Sequence, residues 1–481
     1  MNSSVQNITV LSSSQNSPVL WKSYLAFLVP MIISNMLQAL SGTANNIYLG
    51  QMLGVGAMAS VSAFFPVFFF LISFMIGLGS GAAVLIGQAW GANELDRVKA
   101  IAGTTLMVGL LAGLTVAVFG GAFTETMLWA LGTPLDILPG ATAYARVMLI
   151  ATPAIFIFLL TTSMLRGVGD TKTPLFILLI STLLSFILTP ALIRGWLGLP
   201  QMGVTSGAYA AGASFLIAMA WAIWYLRRST TPNRSAHSAA MHVLAPPIVK
   251  HPLATDAAFL KHLRIDRAIL AKVLKIGLPT GLSMITISLA EIAVLFLVNR
   301  YGSQATAAYG AVNQIVNYVQ FPAISIAIAA SILGAQAIGA GRGHTLGHIA
   351  KTGIALNLVL TGSLVVIGLI FSRSIIGLFI TDPTVVDMAK TLLDVMLWSS
   401  VVMGMSMVLS GLMRASGEVV MPTAITMLCI LCIEIPTAWT LSNIYGIKGI
   451  WAAYPITFLA MLALQTTYYR LVWRKKPIKR L

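Results

Sequence analysis

Long apolar runs without a charged residue dominate the chain. Four of them exceed the roughly 18–20 residues that an α-helix needs to cross the hydrocarbon core of a bilayer. These runs are Leu25–Gly50, Val55–Gly91, Pro174–Ile193 and Met202–Leu226. Their apolar positions are continuous, whereas strands of a membrane barrel alternate apolar and polar residues. The pattern therefore predicts membrane-spanning helices, which satisfy their backbone hydrogen bonds internally.

The same criterion of about 20 residues per span predicts about twelve spans in all. We expect the first six at residues 23–50, 56–89, 99–121, 137–164, 174–194 and 203–226. We expect the second six at residues 270–299, 305–338, 350–371, 385–412, 422–443 and 447–472. The chain is thus predicted to be an all-α integral membrane protein with twelve transmembrane helices.

Two short motifs occur twice at a constant offset of 248 positions, which indicates an internal repeat. The matched pairs are Arg166 and Arg414, Gly169 and Gly417, Asp170 and Glu418, Pro174 and Pro422, and the segments Gln88–Ala92 and Gln336–Ala340. Because each copy holds an even number of spans, both copies begin on the same side of the membrane. The repeat is therefore parallel, and it predicts two six-helix bundles with a site between them.

The repeat and the spans divide the chain into five parts. We expect an N-terminal tail at 1–22, an N-terminal bundle at 23–226 and a cytoplasmic linker at 227–266. A C-terminal bundle follows at 267–472, and a basic C-terminal tail at 473–481. Within the motifs, small residues allow close helix packing, and Gln88 and Gln336 are predicted to hydrogen-bond across helices. Asp170 and Glu418 are candidate ion-pair partners of Arg166 and Arg414.

Charge is scarce and unevenly placed. Only 9% of the residues are charged, against ~25% in a soluble domain, and the net charge is +16. Most of the 29 Lys and Arg residues fall in loops on one side, which predicts that this side and both termini are cytoplasmic in a bacterial inner (plasma) membrane. The positive charge is then expected to fix the orientation of the protein in the membrane and to attract anionic lipids. We expect no nucleic-acid partner, and we expect a monomer.

Two acidic residues, Glu291 and Glu434, lie deep within predicted spans. A charged group at mid-bilayer costs roughly 2.5–3.5 kcal/mol on insertion scales, so both are candidate cation-coupling residues. Glu434 has an alternative structural role, because it precedes Ile435-Pro436 and could accept a hydrogen bond from a neighbouring helix at a bend.

Amide side chains form two stripes that predict a substrate cleft. Asn313, Asn317 and Gln320 fall at i, i+4 and i+7 on one helical face. The other stripe, in the first predicted helix, consists of Asn35, Gln38 and Asn45. Such amides either line a watery cavity or join helices by hydrogen bonds.

Together, the two six-helix halves, the paired Gln-Ala-x-Gly-Ala segments and the paired Arg-x-x-Gly-(Asp/Glu)…Pro loops resemble the multidrug and toxic compound extrusion (MATE) family. The resemblance implies a secondary antiporter that expels amphipathic or cationic organic compounds from a central cleft in exchange for H⁺ or Na⁺. Glu291 is similar to the coupling Glu of the sodium-dependent branch, which makes it a possible Na⁺ ligand. That branch also uses an acid in its tenth helix, and the matching place near Met403 has none.

The first bundle departs from the family pattern at two positions. Asn45 and Thr189 stand where many members carry Asp. The partial match therefore leaves both coupling ions open.

Two other classes of function compete with an exporter. A flippase for lipid-linked sugars or polysaccharide precursors would be expected to show a more basic cleft for phosphates. An intramembrane enzyme would need a nucleophile or a metal cluster near the interface, and the six histidines lie in the linker or at His344 and His348. The sequence has no phosphate-binding GxxxxGK(S/T) segment, so ATP drive is not expected. We therefore predict a transporter that is not an enzyme and has no cofactor.

Overall fold

The computed structural model describes residues 17–228, 230–232, 248–254, 256–380 and 382–481. The first bundle contains eight helices. They are α1 (Ser17–Leu53), α2 (Val55–Gly91), α3 (Leu95–Thr115), α4 (Gly121–Ala130), α5 (Leu138–Ile150), α6 (Thr152–Gly167), α7 (Lys172–Arg194) and α8 (Ser206–Arg228). A π-helical turn at Val116–Gly120 joins α3 to α4, so these two helices form one span.

The first helix of the second bundle begins at Arg267. Its helices are α10 (Arg267–Asn299), α11 (Ser303–Gly339), α12 (Leu346–Ile370), α13 (Ser372–Gly377), α14 (Pro383–Met396), α15 (Ser399–Ala415), α16 (Val420–Cys429), α17 (Ile435–Tyr445) and α18 (Ile447–Leu471). Between the bundles lie the short antiparallel strands β1 (Thr230–Pro232) and β2 (Ile248–Lys250) and the one-turn helix α9 (Ala257–Leu260). The tail of the chain adds a 3₁₀ turn at Trp473–Lys475.

The helices confirm the predicted all-α membrane fold. Within the described residues, eleven helical segments are long and apolar enough to cross a membrane, and the bent pair α5 and α6 brings the number to twelve. That pair was predicted as one span, without a break at this place, and it is bent by 52° near Ala151. Pro153 explains the break, because proline has no N–H to donate to the carbonyl of Leu149.

The two bundles pack tightly against each other where α2 meets α10. A Cβ on Gly77 of α2 would stand 2.4 Å from the carbonyl oxygen of Gly277 of α10. A Cβ on Gly81 would stand 2.4 Å from the carbonyl oxygen of Val273. Glycine is needed here because the two backbones touch, as small residues permit in membrane helices. We call this contact region, which continues to Gly91, the seam.

Candidate functional site

The seam ends at the face of the molecule that carries the repeated motifs. We call this end the basic face; it contains residues 92–94, 168–171, 251–254, 256–266, 416–419 and 472–481. There, Gln88 Nε2 donates to the carbonyl of Ala415 at 2.8 Å, and Gln336 Nε2 donates to the carbonyl of Gly167 at 3.0 Å. Each repeat therefore holds the motif loop of the other. The structure confirms the prediction that the two amides join helices, and shows that they join the bundles.

The glycines of the same motifs are equally reciprocal. A Cβ on Gly91 would lie 2.1 Å from the carbonyl oxygen of Gln336. A Cβ on Gly339 would lie 1.9 Å from the carbonyl oxygen of Gln88. The duplicated Gln-Ala-x-Gly-Ala segments thus cross backbone to backbone at a pseudo-twofold axis. Their sequence repeat is explained by this mutual contact.

The motif acids do not pair with the motif arginines, so that expectation was wrong. Asp170 Oδ2 instead lies 3.5 Å from Nε2 of His251, which is buried. Glu418 Oε2 lies 2.8 Å from Nζ of Lys476. Each acid therefore holds the segment that leaves the last helix of its own bundle.

Asp170 also orders the start of α7. Its Oδ1 accepts hydrogen bonds from the main-chain N–H groups of Lys172 and Thr173 at 3.1 Å and 3.0 Å. Burial alone would raise the pKa of Asp170, but His251 and Thr173 hold that pKa below its ordinary value. The carboxylate consequently stays charged at neutral pH.

A polar region lies on the side of the seam that is away from the basic face. Asn35 and Ser325 are at the end of this region that is nearest to the seam. Asn35 Nδ2 donates to Ser325 Oγ at 3.1 Å, and this bond links α1 to α11 across the two bundles. Farther from the basic face, Gln38 and Asn317 are exposed and Gln320 is half-buried. Because these exposed amides lie within membrane-spanning helices, they are expected to face a water-filled space rather than lipid.

The other two predicted cleft residues are Asn313 and Asn45. Asn313 is half-buried on α11. Asn45 packs against α8, where a Cβ on Gly207 would meet its Oδ1 at 3.0 Å. Within the described residues, Asn45 Oδ1 and Thr189 Oγ1 are buried without a hydrogen-bond partner. These two residues keep polarity, but not charge, inside the first bundle.

The two candidate coupling acids share one electrostatic environment in the second bundle. Glu291 is exposed on α10, whereas Glu434 is only 5% exposed. The helix of Glu291 packs against the turn that ends at Glu434, which places the two carboxyl groups within range of each other's charge and of Tyr309 and Tyr454. No described residue forms an ion pair or a hydrogen bond with either carboxyl group. The structure therefore brings together the two acids that the sequence singled out separately.

Glu434 owes its position to a helix irregularity. It ends a π-helical turn, Ile430–Glu434, between α16 and α17. Pro436 follows and cannot donate to the carbonyl of Cys432, which favours a wider turn at this point. π-Turns within α-helices frequently occur at functional sites.

A buried tyrosine pair beside the two acids was not predicted. Tyr309 Oη and Tyr454 Oη lie 2.9 Å apart, and Tyr309 stacks on Trp451 with ring centroids 6.0 Å apart. Extending the amide stripe of α11 by one turn, from Asn313 to Tyr309, could have identified the first of them. Tyr454 has no comparable signal, because it comes from a helix 145 residues away.

We expect the Asn317→Ala, Gln320→Ala double variant to change the range of exported compounds while expression stays near that of the wild type. The reason is that both amides border the polar region and form no hydrogen bond among the described residues. Export of several dyes would be compared with thermal stability. A loss of stability with an unchanged range of compounds would assign the amides to helix packing.

The geometry defines a two-lobed membrane protein that is closed at one end and carries polar and acidic groups beyond the closure. Residues 30–191 and 279–440 each match the MatE family model, one match per repeat. The chain is 40% identical over 474 residues to the probable multidrug resistance protein YoeA of Bacillus subtilis (strain 168), covering 98% of both chains. It is 26% identical to the probable multidrug resistance protein YpnP of the same organism, covering 93% of this chain and 94% of YpnP.

Solved structures agree on the fold. A structure described as the outward-facing conformation of a multidrug resistance MATE family transporter superposes with a TM-score of 0.82 at 21% identity, covering 94% of this chain and 95% of that one. The protein therefore belongs to the MATE family. This is a family of multi-pass membrane transporters.

Proposed function

We propose that this protein exports amphipathic or cationic organic compounds across the bacterial inner membrane by antiport with H⁺ or Na⁺. The names of its relatives support multidrug export, and the exposed amides beyond the seam provide a polar wall for varied substrates. The basic face lies in the cytoplasm in this proposal, because Lys and Arg concentrate on cytoplasmic loops.

The observation that carries the coupling proposal is the proximity of Glu291 to Glu434. Two neighbouring carboxylates repel each other, and a bound H⁺ or Na⁺ relieves that repulsion. Glu291 is exposed and can receive the ion, while the buried Glu434 senses whether it is occupied. The tyrosine hydroxyls of the Tyr309–Tyr454 pair supply neutral donors and acceptors next to the same site.

An antiporter must also expose its binding site to one side of the membrane at a time, and the closed seam supports this. The site is accessible from one side only while the bundles touch at the basic face. Glu291 lies fourteen residues, roughly 21 Å of helix, beyond the seam residue Gly277. Separation of the bundles at the basic face would then expose the site to the other side, as in other parallel-repeat transporters.

Transport by purified protein in liposomes tests this function. Dye export would be measured with an imposed H⁺ gradient alone, with an imposed Na⁺ gradient alone and with neither. We expect one of the two gradients to drive export. Equal export in all three conditions would contradict antiport with these ions, and translocation of a lipid-linked sugar without dye export would instead support the flippase function.

A further inference from the structure

The segment Trp473–Leu481, here called the strap, begins on the C-terminal bundle. Trp473 is buried, and its indole N–H donates to Ser416 Oγ at 2.9 Å. Three residues later, Lys476 forms its ion pair with Glu418. The first half of the strap is therefore anchored to the motif loop of its own bundle.

The second half of the strap continues onto the N-terminal bundle. Arg480 forms an ion pair with Glu94, which also pairs with Arg97. Arg97 donates to the main-chain oxygen of Leu481. The main-chain N–H of Leu481 donates to Gln88 Oε1 at 2.9 Å. The strap thus crosses the seam from one bundle to the other.

The strap also completes the hydrogen bonds of the seam itself. Gln88 is 3% exposed; its Nε2 holds Ala415 of the opposite bundle, and its Oε1 accepts from the strap. Rupture of either bond leaves a buried amide partly unsatisfied, which costs free energy. Docking of the strap and closure of the seam therefore stabilise each other.

The corresponding segment of the first repeat behaves differently. After its contact with Asp170 through His251, it packs on α3 of its own bundle, where Thr104 Oγ1 donates to the carbonyl of Arg264 at 3.1 Å. Both exit segments thus bind the motif acid of their own repeat. The strap continues from there to the opposite bundle.

We propose that the strap is a latch that holds the basic face closed and must release before the bundles can separate there. The proposal rests on the alternating access proposed above, because a latch is needed only if the seam opens. It assigns to Glu94 and Arg480 a conformational role that is separate from ion coupling and from substrate binding.

The charges of the latch keep it docked at neutral pH. The hydrogen bond from Arg480 holds the pKa of Glu94 below its ordinary 4.5, so this contribution is present above that value and is lost as the pH falls through the lowered pKa. The hydrogen bond to Glu418 raises the pKa of Lys476 above its ordinary 10.5, so this contribution is lost only as the pH rises through the raised pKa. Because these pairs are exposed, high salt is expected to loosen the latch.

Labelling of a buried cysteine measures seam opening directly. Ala335 is fully buried, and its Cβ lies 3.0 Å from the position of a Cβ on Gly87 across the seam. An Ala335→Cys reporter would be placed in a background in which Cys429 and Cys432 are replaced by alanine. The rate of its reaction with a maleimide would be followed in purified protein in nanodiscs.

We expect Arg480→Gln to accelerate labelling about two- to fivefold, the range for loss of an exposed ion pair. The matched control is Lys479→Gln, because Lys479 is exposed and forms no ion pair among the described residues. The double variant Glu94→Gln, Arg480→Gln should react no faster than Glu94→Gln alone, because both changes break the same ion pair, whereas general misfolding of the strap would add to the rate.

Each outcome separates the latch from the proposed function. If the reporter reacts in the parent protein but Arg480→Gln and Lys479→Gln react at equal rates, the latch is overturned while alternating access stands. If the reporter stays unreactive in every variant and at every H⁺ and Na⁺ concentration tested, the seam does not open. That result would overturn the latch and alternating access at this seam together.

Discussion

Replacement of Glu291 by Gln is expected to reduce ion-driven export strongly while substrate binding survives. The amide keeps the shape of the side chain but removes the charge that H⁺ or Na⁺ neutralises beside Glu434. Export driven by a gradient should fall by about 5- to 150-fold, the factor that corresponds to a typical coupling free energy. Asp at position 291 keeps the charge and should retain part of the activity.

The measurement is dye export from liposomes under a fixed ion gradient, together with dye binding to the detergent-solubilised protein. Glu125→Gln is the matched control, because Glu125 is exposed on α4 in the other bundle. Wild-type export by the Glu291→Gln variant would place coupling elsewhere, with Glu434 the next residue to change. Loss of dye binding as well would assign Glu291 to the substrate instead.

Helix positions and the repeat could be predicted because both are local or periodic properties. A run of about 20 apolar residues is visible wherever it occurs, and its burial in lipid does not depend on a partner. The duplicated motifs were visible for the same reason. The bend between α5 and α6 was missed, although Pro153 signals it, because apolar residues continue through the break.

The residues that pair with Asp170 and Glu418 at the basic face could not be predicted. Asp170 and Arg166 are four residues apart, so their pairing was the simple expectation. The partners in the structure, His251 and Lys476, come from segments that leave the bundles and return to them. Such contacts depend on where each exit segment runs, and neither hydrophobic period nor motif spacing encodes that path.

The acids of the candidate site were found for a physical reason that holds for any membrane protein. A carboxyl group deep in an apolar span is costly, so Glu291 and Glu434 stood out individually. Their proximity depends on the packing of α10 against the π-turn before α17. The Tyr309–Tyr454 bond depends on packing in the same way, because tyrosines within apolar spans are not unusual in themselves.

The seam glycines lead to the second large prediction. Gly339→Ala is expected to prevent closure of the basic face and so to abolish export. The added Cβ would stand 1.9 Å from the carbonyl oxygen of Gln88, and a backbone atom cannot move aside as a flexible side chain can. Overpacking costs about 1–3 kcal/mol, so the population of the closed state should fall by about 5- to 150-fold.

The substitution is expected to stabilise helix α11 while it hinders closure of the seam, so the two effects can be distinguished. Alanine favours a helix over glycine by about 1 kcal/mol, so a loss of export by Gly339→Ala cannot arise from a weaker α11. Gly347→Ala on α12 is the control, because a Cβ there has no atom within 4 Å.

The maleimide reaction of the Ala335→Cys reporter should be fast in Gly339→Ala and slow in Gly347→Ala. Gly91→Ala should reproduce the fast reaction, since its Cβ would meet Gln336 across the same axis. Slow labelling with normal export in both seam variants would show that the bundles do not need this backbone contact to close.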